Sequence, residues 1–359
     1  MSQLRTNAIL DASGGTTATV NGIPLRPGVL DPENRIINGA FDFWQRGTSS
    51  TAAGFLADRW NNGVSGGTVT TSRQAFSAGD TFGSNNPSFF FRQAVSGQSA
   101  SSHYALTTHP IEGVRSYAGQ TITLLGWARR SSGSGNAAIG LTQYFGSGGS
   151  PSGNVFISPQ TLTLTGSWAA FALTFAIPSI SGKTIGTNNN DYIVLNIWTS
   201  AGSDYNARTN SLGLQTIGVD LWGIHIKQGT HTTSAVDLYR QPELGPELAR
   251  CQRYCVVYGG NSVYERFGLG LNAGTTFAYP IVYTPVDMRA NPAVSVNSLS
   301  DFRVWNGTVL SAISALAVDS GSTRAVSLVV TSSGLTATAP IGLVANNTTA
   351  ARLTLDSEL

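Results

Sequence analysis

The sequence predicts an all-β protein, and three observations predict it. Apolar residues recur with a period of two in several short runs, Gly/Ser/Asn clusters separate those runs, and only one stretch carries helical spacing. In order, the chain reads as an N-terminal arm, an antiparallel β-sandwich, a short connector helix and a smaller C-terminal β-sandwich.

Residues 1–34 form the expected arm. They are small and polar, and the segment NGIPLRPGVLDPEN adds three prolines, too little apolar surface for a core of its own. The arm therefore suits attachment to a neighbour. Residues 35–245 carry the sandwich pattern. In AFALTFAIP, Phe171, Leu173, Phe175 and Ile177 share one face, the mark of a half-buried strand. In DYIVLNIWTS, Ile193, Leu195 and Ile197 turn inward, so Tyr192, Val194, Asn196 and Trp198 share the other face. Further strands are expected at TITLLGWARR, NVFISPQTLTLT and VDLWGIHIK. PELARCQRYC is the helix, within a connector over 246–258. Pro246 suits a first turn, Glu247 its positive end, and Leu248, Cys251 and Cys255 fall on one face. Over 259–359, AVSVNSL, RAVSLVV and ARLTLDSEL return to strand spacing.

Composition narrows the function classes. Charged residues make up 11% of the 359, against about 25% in ordinary globular proteins. The net charge of +2 comes from 21 basic and 19 acidic residues without like-charge blocks, so no footprint for a nucleic acid appears. No apolar run approaches the ~18 residues of a membrane span, and MSQLRTNAILDASGG lacks a signal-peptide core. A soluble chain without membrane insertion is expected. Cys251 and Cys255 are too few for a disulfide framework and, with no nearby His, a poor zinc pattern.

RIINGAFDFWQRGTSSTAAGFLADRW resembles the opening of a jelly-roll domain found in bacteriophage tail fibre and virion appendage proteins. SWAAFALTFAIP, VDLWGIHIKQG and ELARCQRY are similar to its later landmarks in the same order, and LRTNAILDASGGTTATVNG resembles the leader before it. The resemblance spans roughly residues 1–258; MRANPAVSV adds a thinner likeness to a C-terminal sandwich. It implies a virion protein assembled in the host cytoplasm, with a jelly roll similar to carbohydrate-binding modules. The leading expectation is a tail fibre or receptor-binding protein: its arm would dock to other virion proteins, it would form a homotrimer, and it would attach to a host cell-surface glycan. The competing expectation is a capsid decoration, head fibre or tail-assembly protein with no ligand.

Catalytic signals are absent from the sequence. Asp58, Asp80, Asp191, Asp204 and Asp220 are scattered, and no nucleophile elbow, zinc helix, phosphate loop or dinucleotide fingerprint occurs, so no enzyme is expected. His225 reads as a packed strand residue. Sugar binding needs flat rings with amides and Arg nearby. Trp198 with Asn196, Tyr144 in LTQYFG and Tyr205 in AGSDYNAR are the candidate contacts, whereas Trp44, Trp60, Trp127 and Trp168 read as structural. No cofactor is expected. The resemblance leaves room for a structural calcium, for which Asn38, Asp42 and Asp220 are the candidate ligands. Arg129 and Arg130, adjacent in a strand, should face opposite ways, while Arg250 and Arg253 should share a helical face and pair with a neighbouring domain.

Overall fold

The computed structural model describes residues 34–359, preceded by a backbone pairing of Thr19–Val20 with Ile23–Pro24. The rest of the predicted arm lies outside the described residues. The protein is all-β with short helices, as its period-two runs require.

The first unit is built from β1 (Asn61–Ser65), β2 (Thr68–Ala75), β3 (Phe89–Ser96), β4 (Tyr104–Glu112), β5 (Thr121–Gly133), β6 (Ala137–Tyr144), β7 (Val155–Leu162), β8 (Ala169–Ala176), β9 (Tyr192–Ala201) and β10 (Ile217–Gln228). They form two antiparallel sheets. The first runs β7-β6-β9-β4-β1 with Gly54–Phe55 at its edge; the second runs β8-β5-β10-β3-β2 with Ser49–Ser50 at its edge. Between them lies one apolar core. Ile193, Leu195 and Ile197 of β9 face Phe171 and Phe175 of β8 and Ile224 and Ile226 of β10, all buried. The alternation in the sequence therefore marks the inner faces of both sheets.

The second sheet is buried on its outer face too. Leu125, Trp127 and Trp222 point away from the central core into an aromatic layer with Phe82, Phe90 and Tyr239, and Phe76 and Trp168 pack against it. Phe82 arrives from the loop after β2, and Tyr239 follows a 3-10 turn over Thr233–Leu238. Asn85 clips these covering segments together: its Nδ2 donates to the Tyr239 carbonyl at 3.0 Å, and its Oδ1 accepts the Gln241 N–H at 2.9 Å. His225 stacks on Tyr239 at 4.7 Å, which places it in packing.

The connector helix runs from Leu244 to Gln252, two residues earlier than the sequence pattern begins it. Its buried positions are Glu247 and Cys251, one turn apart, while Leu248 is half-buried. Glu247 replaces the expected leucine because its carboxylate is satisfied, accepting the Asn38 N–H and pairing with Arg250 at 2.8 Å. Cys255 is already in β11 (Cys255–Tyr258), drawn out of helix by pairing with the strand Leu353–Asp356. Both cysteines are free and buried, and burial raises both thiol pKa values well above the ordinary range.

The smaller C-terminal unit contains β11, β12 (Arg266–Ala273), β13 (Phe277–Tyr283), β14 (Ala293–Val296), β15 (Phe302–Trp305), β16 (Leu310–Gly321), β17 (Ala325–Ser332), β18 (Pro340–Ala345) and β19 (Leu353–Asp356). Strands β11-β19-β14 form a small sheet, and β12-β13-β17-β16-β15-β18 close into a barrel. Both contribute to one core around Phe302, Leu328, Val330, Leu343 and Leu353. Closure removes the free edges that a chain with Lys only at 183 and 227 could not otherwise protect with ammonium groups.

The two units meet in a polar seam. Arg59, 1% exposed and held at φ 69°, pairs with Glu358, donates to the Pro110 carbonyl and lies 3.5 Å from the Tyr254 ring centroid. Arg46 bonds Asp356 at 2.8 Å and Glu358 at 3.2 Å, and Arg289 donates to the Ser357 and Glu358 carbonyls. Arg253 and the Tyr254 hydroxyl both reach Glu112. Burial would raise the Glu112 pKa, but these two donors outweigh it and lower the pKa below the ordinary value. Arg250 turns instead to Glu247 and the Ile36 carbonyl, so both arginines of the connector reach the first unit, at different places.

Candidate functional site

The outer face of the first sheet carries a groove. Antiparallel register puts Tyr144 opposite Tyr192, Thr142 opposite Val194, Gly140 opposite Asn196 and Ala138 opposite Trp198, all on one face. On the next strand, Phe156 stands opposite Thr142. A short helix, α1 (Asn206–Thr209), brings Ala207 and Arg208 over this surface. The resulting cavity of about 150 Å³ is lined by Gly140, Thr142, Phe156, Asn196, Trp198 and Arg208, among others. Drug-sized ligands occupy roughly 300–1,000 Å³. This is a shallow site, matched to one ring or the edge of a chain.

Each lining residue has a definite part. Phe156 is 54% exposed and offers a ring face to solvent, and the Arg208 guanidinium sits 5.0 Å from its centroid and 5.3 Å from that of Tyr205. Asn196 Nδ2 donates to Thr142 Oγ1 at 3.2 Å and to the Val194 carbonyl at 3.3 Å, which leaves Oδ1 as its acceptor. Gly140 keeps the floor low. A Cβ there would make only ordinary contact, 3.6 Å from the Ile157 carbonyl oxygen, so a larger residue would fill the groove without disturbing the sheet. Among the described residues, no carboxylate lines the cavity.

The predicted contacts are partly brought together. Trp198 and Asn196 line the groove, but Trp198 is only 4% exposed. Tyr205 and Tyr104 cover its ring at 5.3 and 5.8 Å, making it a floor and not a stacking platform. Tyr205 therefore acts as a cover. Tyr144 pairs with Tyr192 at 4.7 Å on the same face, beyond the lining residues. Phe156 and Arg208 were missed. Period two in NVFISPQ already turns Phe156 away from buried Ile157, which is the signal that could have found it.

The predicted calcium ligands do not fit that ion, which takes 6–8 oxygens. Asp220 has both carboxylate oxygens engaged, by Arg92 at 2.6 Å and Arg129 at 2.7 Å. The Asn38 amide is saturated by Phe43 and by the Asp58 carbonyl, and Asp42 accepts from Gln241. The three share no bonding partner. Among the described residues, no group of three or more His, Cys, Asp or Glu is arranged to hold a metal. Arg129 and Arg130 separate as expected, Arg129 to Asp220 and Arg130 to the Gly135 and Leu164 carbonyls.

Two buried titratable groups lie beneath the first strands. Burial pushes the Asp58 carboxyl up to about 6, against hydrogen bonds from Gln45 and the nearby Arg46 charge. His109 stacks edge-on against Trp60 at 4.8 Å, and burial and Arg59 hold its pKa well below the ordinary value, so it is neutral. No described helix is long and apolar enough to cross a membrane.

No protein-family model matches the chain, and no curated protein matches it in sequence. Among solved structures it is similar to the enzymatically active domain of tailspike protein 4 of Bacteriophage CBA120 (TM-score 0.33, 13% identity, 56% of this chain and 22% of that one). It is also similar to a xylan-binding domain from Paenibacillus barcinonensis (TM-score 0.29, 11% identity, 52% and 94%). A third similar structure is the N-terminal cellulose-binding domain of a Cellulomonas fimi β-1,4-glucanase (TM-score 0.30, 12% identity, 52% and 97%).

Proposed function

We propose that the protein is a bacteriophage virion component, a tail fibre or receptor-binding protein that attaches to host surface glycans through the groove on its first sheet. The observation that carries this reading is the exposed Phe156 ring beside Arg208 and the Asn196–Thr142 pair, a flat apolar face with hydrogen-bonding groups at its rim. Aromatic faces suit sugar C–H surfaces, and guanidinium and amide groups suit hydroxyls. The role is binding without turnover, since the groove offers no carboxylate for acid or base work. Residues 1–34 dock the chain to other virion proteins. A homotrimer presents several grooves together, so that a weak site gains from high effective concentration.

A decoration or tail-assembly role without a ligand is the second reading, favoured by the small volume of the groove, about 150 Å³. One experiment separates the two. Full-length protein is tested for saturable binding to intact host bacteria and for competition with virion adsorption, beside a Gly140→Leu variant that fills the groove. Binding and competition lost in the variant support attachment through the groove. A folded protein that does not bind, or binding indifferent to Gly140→Leu, sinks it.

A further inference from the structure

The groove holds one charge, and nothing in the chain neutralises it. Apart from the neutral His109, the five strands of the first sheet contain a single charged residue, Glu112. It stands opposite Tyr192, where Arg253 and the Tyr254 hydroxyl already hold it. Arg208 comes from outside the sheet, on α1, and lines the cavity. Asp204, the nearest acid in sequence, lies one helical turn earlier and is exposed, yet it forms no ion pair with Arg208. Among the described residues, the Arg208 side chain has no carboxylate partner and no hydrogen-bond acceptor.

The guanidinium is nonetheless held in place. α1 is a single turn, so its position depends on contacts around it. Asn210, at φ 53°, closes the turn by donating its N–H to the Asn206 carbonyl. Buried Thr209 donates its Oγ1 to the Tyr205 carbonyl at 2.9 Å, and Asn210 Nδ2 donates to Thr161 Oγ1 at 3.1 Å, which ties α1 to β7, the strand that carries Phe156. The rings of Phe156 and Tyr205 then flank the guanidinium at 5.0 and 5.3 Å. A ring face attracts the cation but leaves its N–H groups available to another partner. The other polar groups of the groove are neutral: the Ser158 and Thr142 hydroxyls and the Asn196 amide.

A ligand lodged against Phe156 strips water from this cation. A neutral hydroxyl returns a hydrogen bond without a counter-charge, whereas an oxyanion returns paired, charge-assisted bonds in the planar geometry of the guanidinium fork. Because the position is set before binding, little ordering is left for the ligand to offset. We propose that the groove selects a saccharide bearing an oxyanion, a carboxylate or a phosphate, and that Arg208 is its specificity-determining residue. Phe156 meets the sugar ring, and Asn196 and Ser158 meet its hydroxyls. The proposal rests on the groove reading above and narrows it from glycans in general to acidic ones.

Saturation-transfer NMR on the full chain tests it with galacturonate, glucuronate and glucose 6-phosphate, each beside its neutral parent, galactose or glucose. One or more of the acids should bind about tenfold or more tightly than its parent. Added sodium chloride should weaken the acid and leave the parent unchanged. The uronates and the phosphate separate the two oxyanions. Arg208→Gln, with its melting temperature unchanged, should lower the acid to the affinity of its parent, and Arg208→Lys, which keeps the charge without the fork, should fall between. Should Arg208→Gln misfold, the ratio of acid to parent and its salt dependence in the unaltered chain decide the matter. Acids that all bind no better than their parents overturn the proposal, and a folded chain that binds none of these sugars does the same. So does acid binding that Arg208→Gln leaves intact. Attachment to host bacteria keeps the two readings apart: attachment lost in Gly140→Leu but untouched in Arg208→Gln leaves the groove reading standing and removes this one.

Discussion

The two sheets of the sandwich share a core but treat their outer faces differently. The outer face of the second sheet holds Trp127, Trp222, Phe90 and Tyr239 and is sealed by chain segments that Asn85 ties together. The outer face of the first sheet holds fewer rings, yet Phe156 and Arg208 stand open to solvent. Aromatic density therefore marks where the molecule is held together, and uncovered aromatic surface marks where it can meet something else. A count of tryptophans would have chosen the wrong face.

The largest expected effect lies on the sealed face. Trp222 is fully buried, and Trp222→Ala should cost about 3–5 kcal/mol in chemical denaturation. A loss below about 1 kcal/mol would mean that the cover is loose and the contrast between the faces is lost. The seam is a third covered surface and responds to pH. Because the Asp58 pKa is raised to about 6 in the folded protein, the folded state holds the extra proton between the unfolded value and about 6. Its contribution is full below the unfolded pKa and is lost as pH rises through about 6, on the order of 3 kcal/mol. Denaturation midpoints of Asp58→Asn should accordingly vary less between pH 4 and pH 6 than those of the unaltered chain; equal slopes would remove Asp58 as the cause.

Asn85→Ala tests the clip itself. Freeing the covering segments should cost about 1–3 kcal/mol and raise amide exchange around Tyr239 before the central core opens. Exchange that stays uniform would show that the cover and core open together. On the open face the expectation reverses. Phe156→Ala should shift stability by no more than about 0.5 kcal/mol while weakening attachment to bacteria about tenfold. A stability loss of core size at Phe156 would make it a packing residue and erase the distinction.

The inner faces were legible because alternation is a local property. Phe171, Phe175, Ile193, Leu195 and Ile197 announce their side by their spacing alone, and all are buried. Trp198 and Asn196 were grouped correctly by the same rule, but whether Trp198 is covered depends on Tyr104 and Tyr205, which no spacing within β9 reports. Asp220 shows the limit most clearly. Its partners Arg92 and Arg129 lie 128 and 91 residues away in sequence, so an acidic residue that resembles a metal ligand is in fact neutralised by neighbouring strands. The outer face of β12 in the barrel escaped notice for a different reason: GLGLN alternates perfectly, and only the close approach of Tyr279 decides that the leucines point outward.

The seam also has a consequence for synthesis. Arg59 and Glu358 are separated by 299 residues, so a ribosome finishes the entire sandwich long before the carboxylate that Arg59 needs has been made. At about 5–20 residues per second, the guanidinium waits on the order of 15–60 s with the Pro110 carbonyl and whatever water reaches it. A nascent or truncated chain can hold every strand of the first unit and still carry a cation that wants a counter-charge. The Arg59–Glu358 pair therefore ties the first unit to the C-terminal unit only after both have been synthesised.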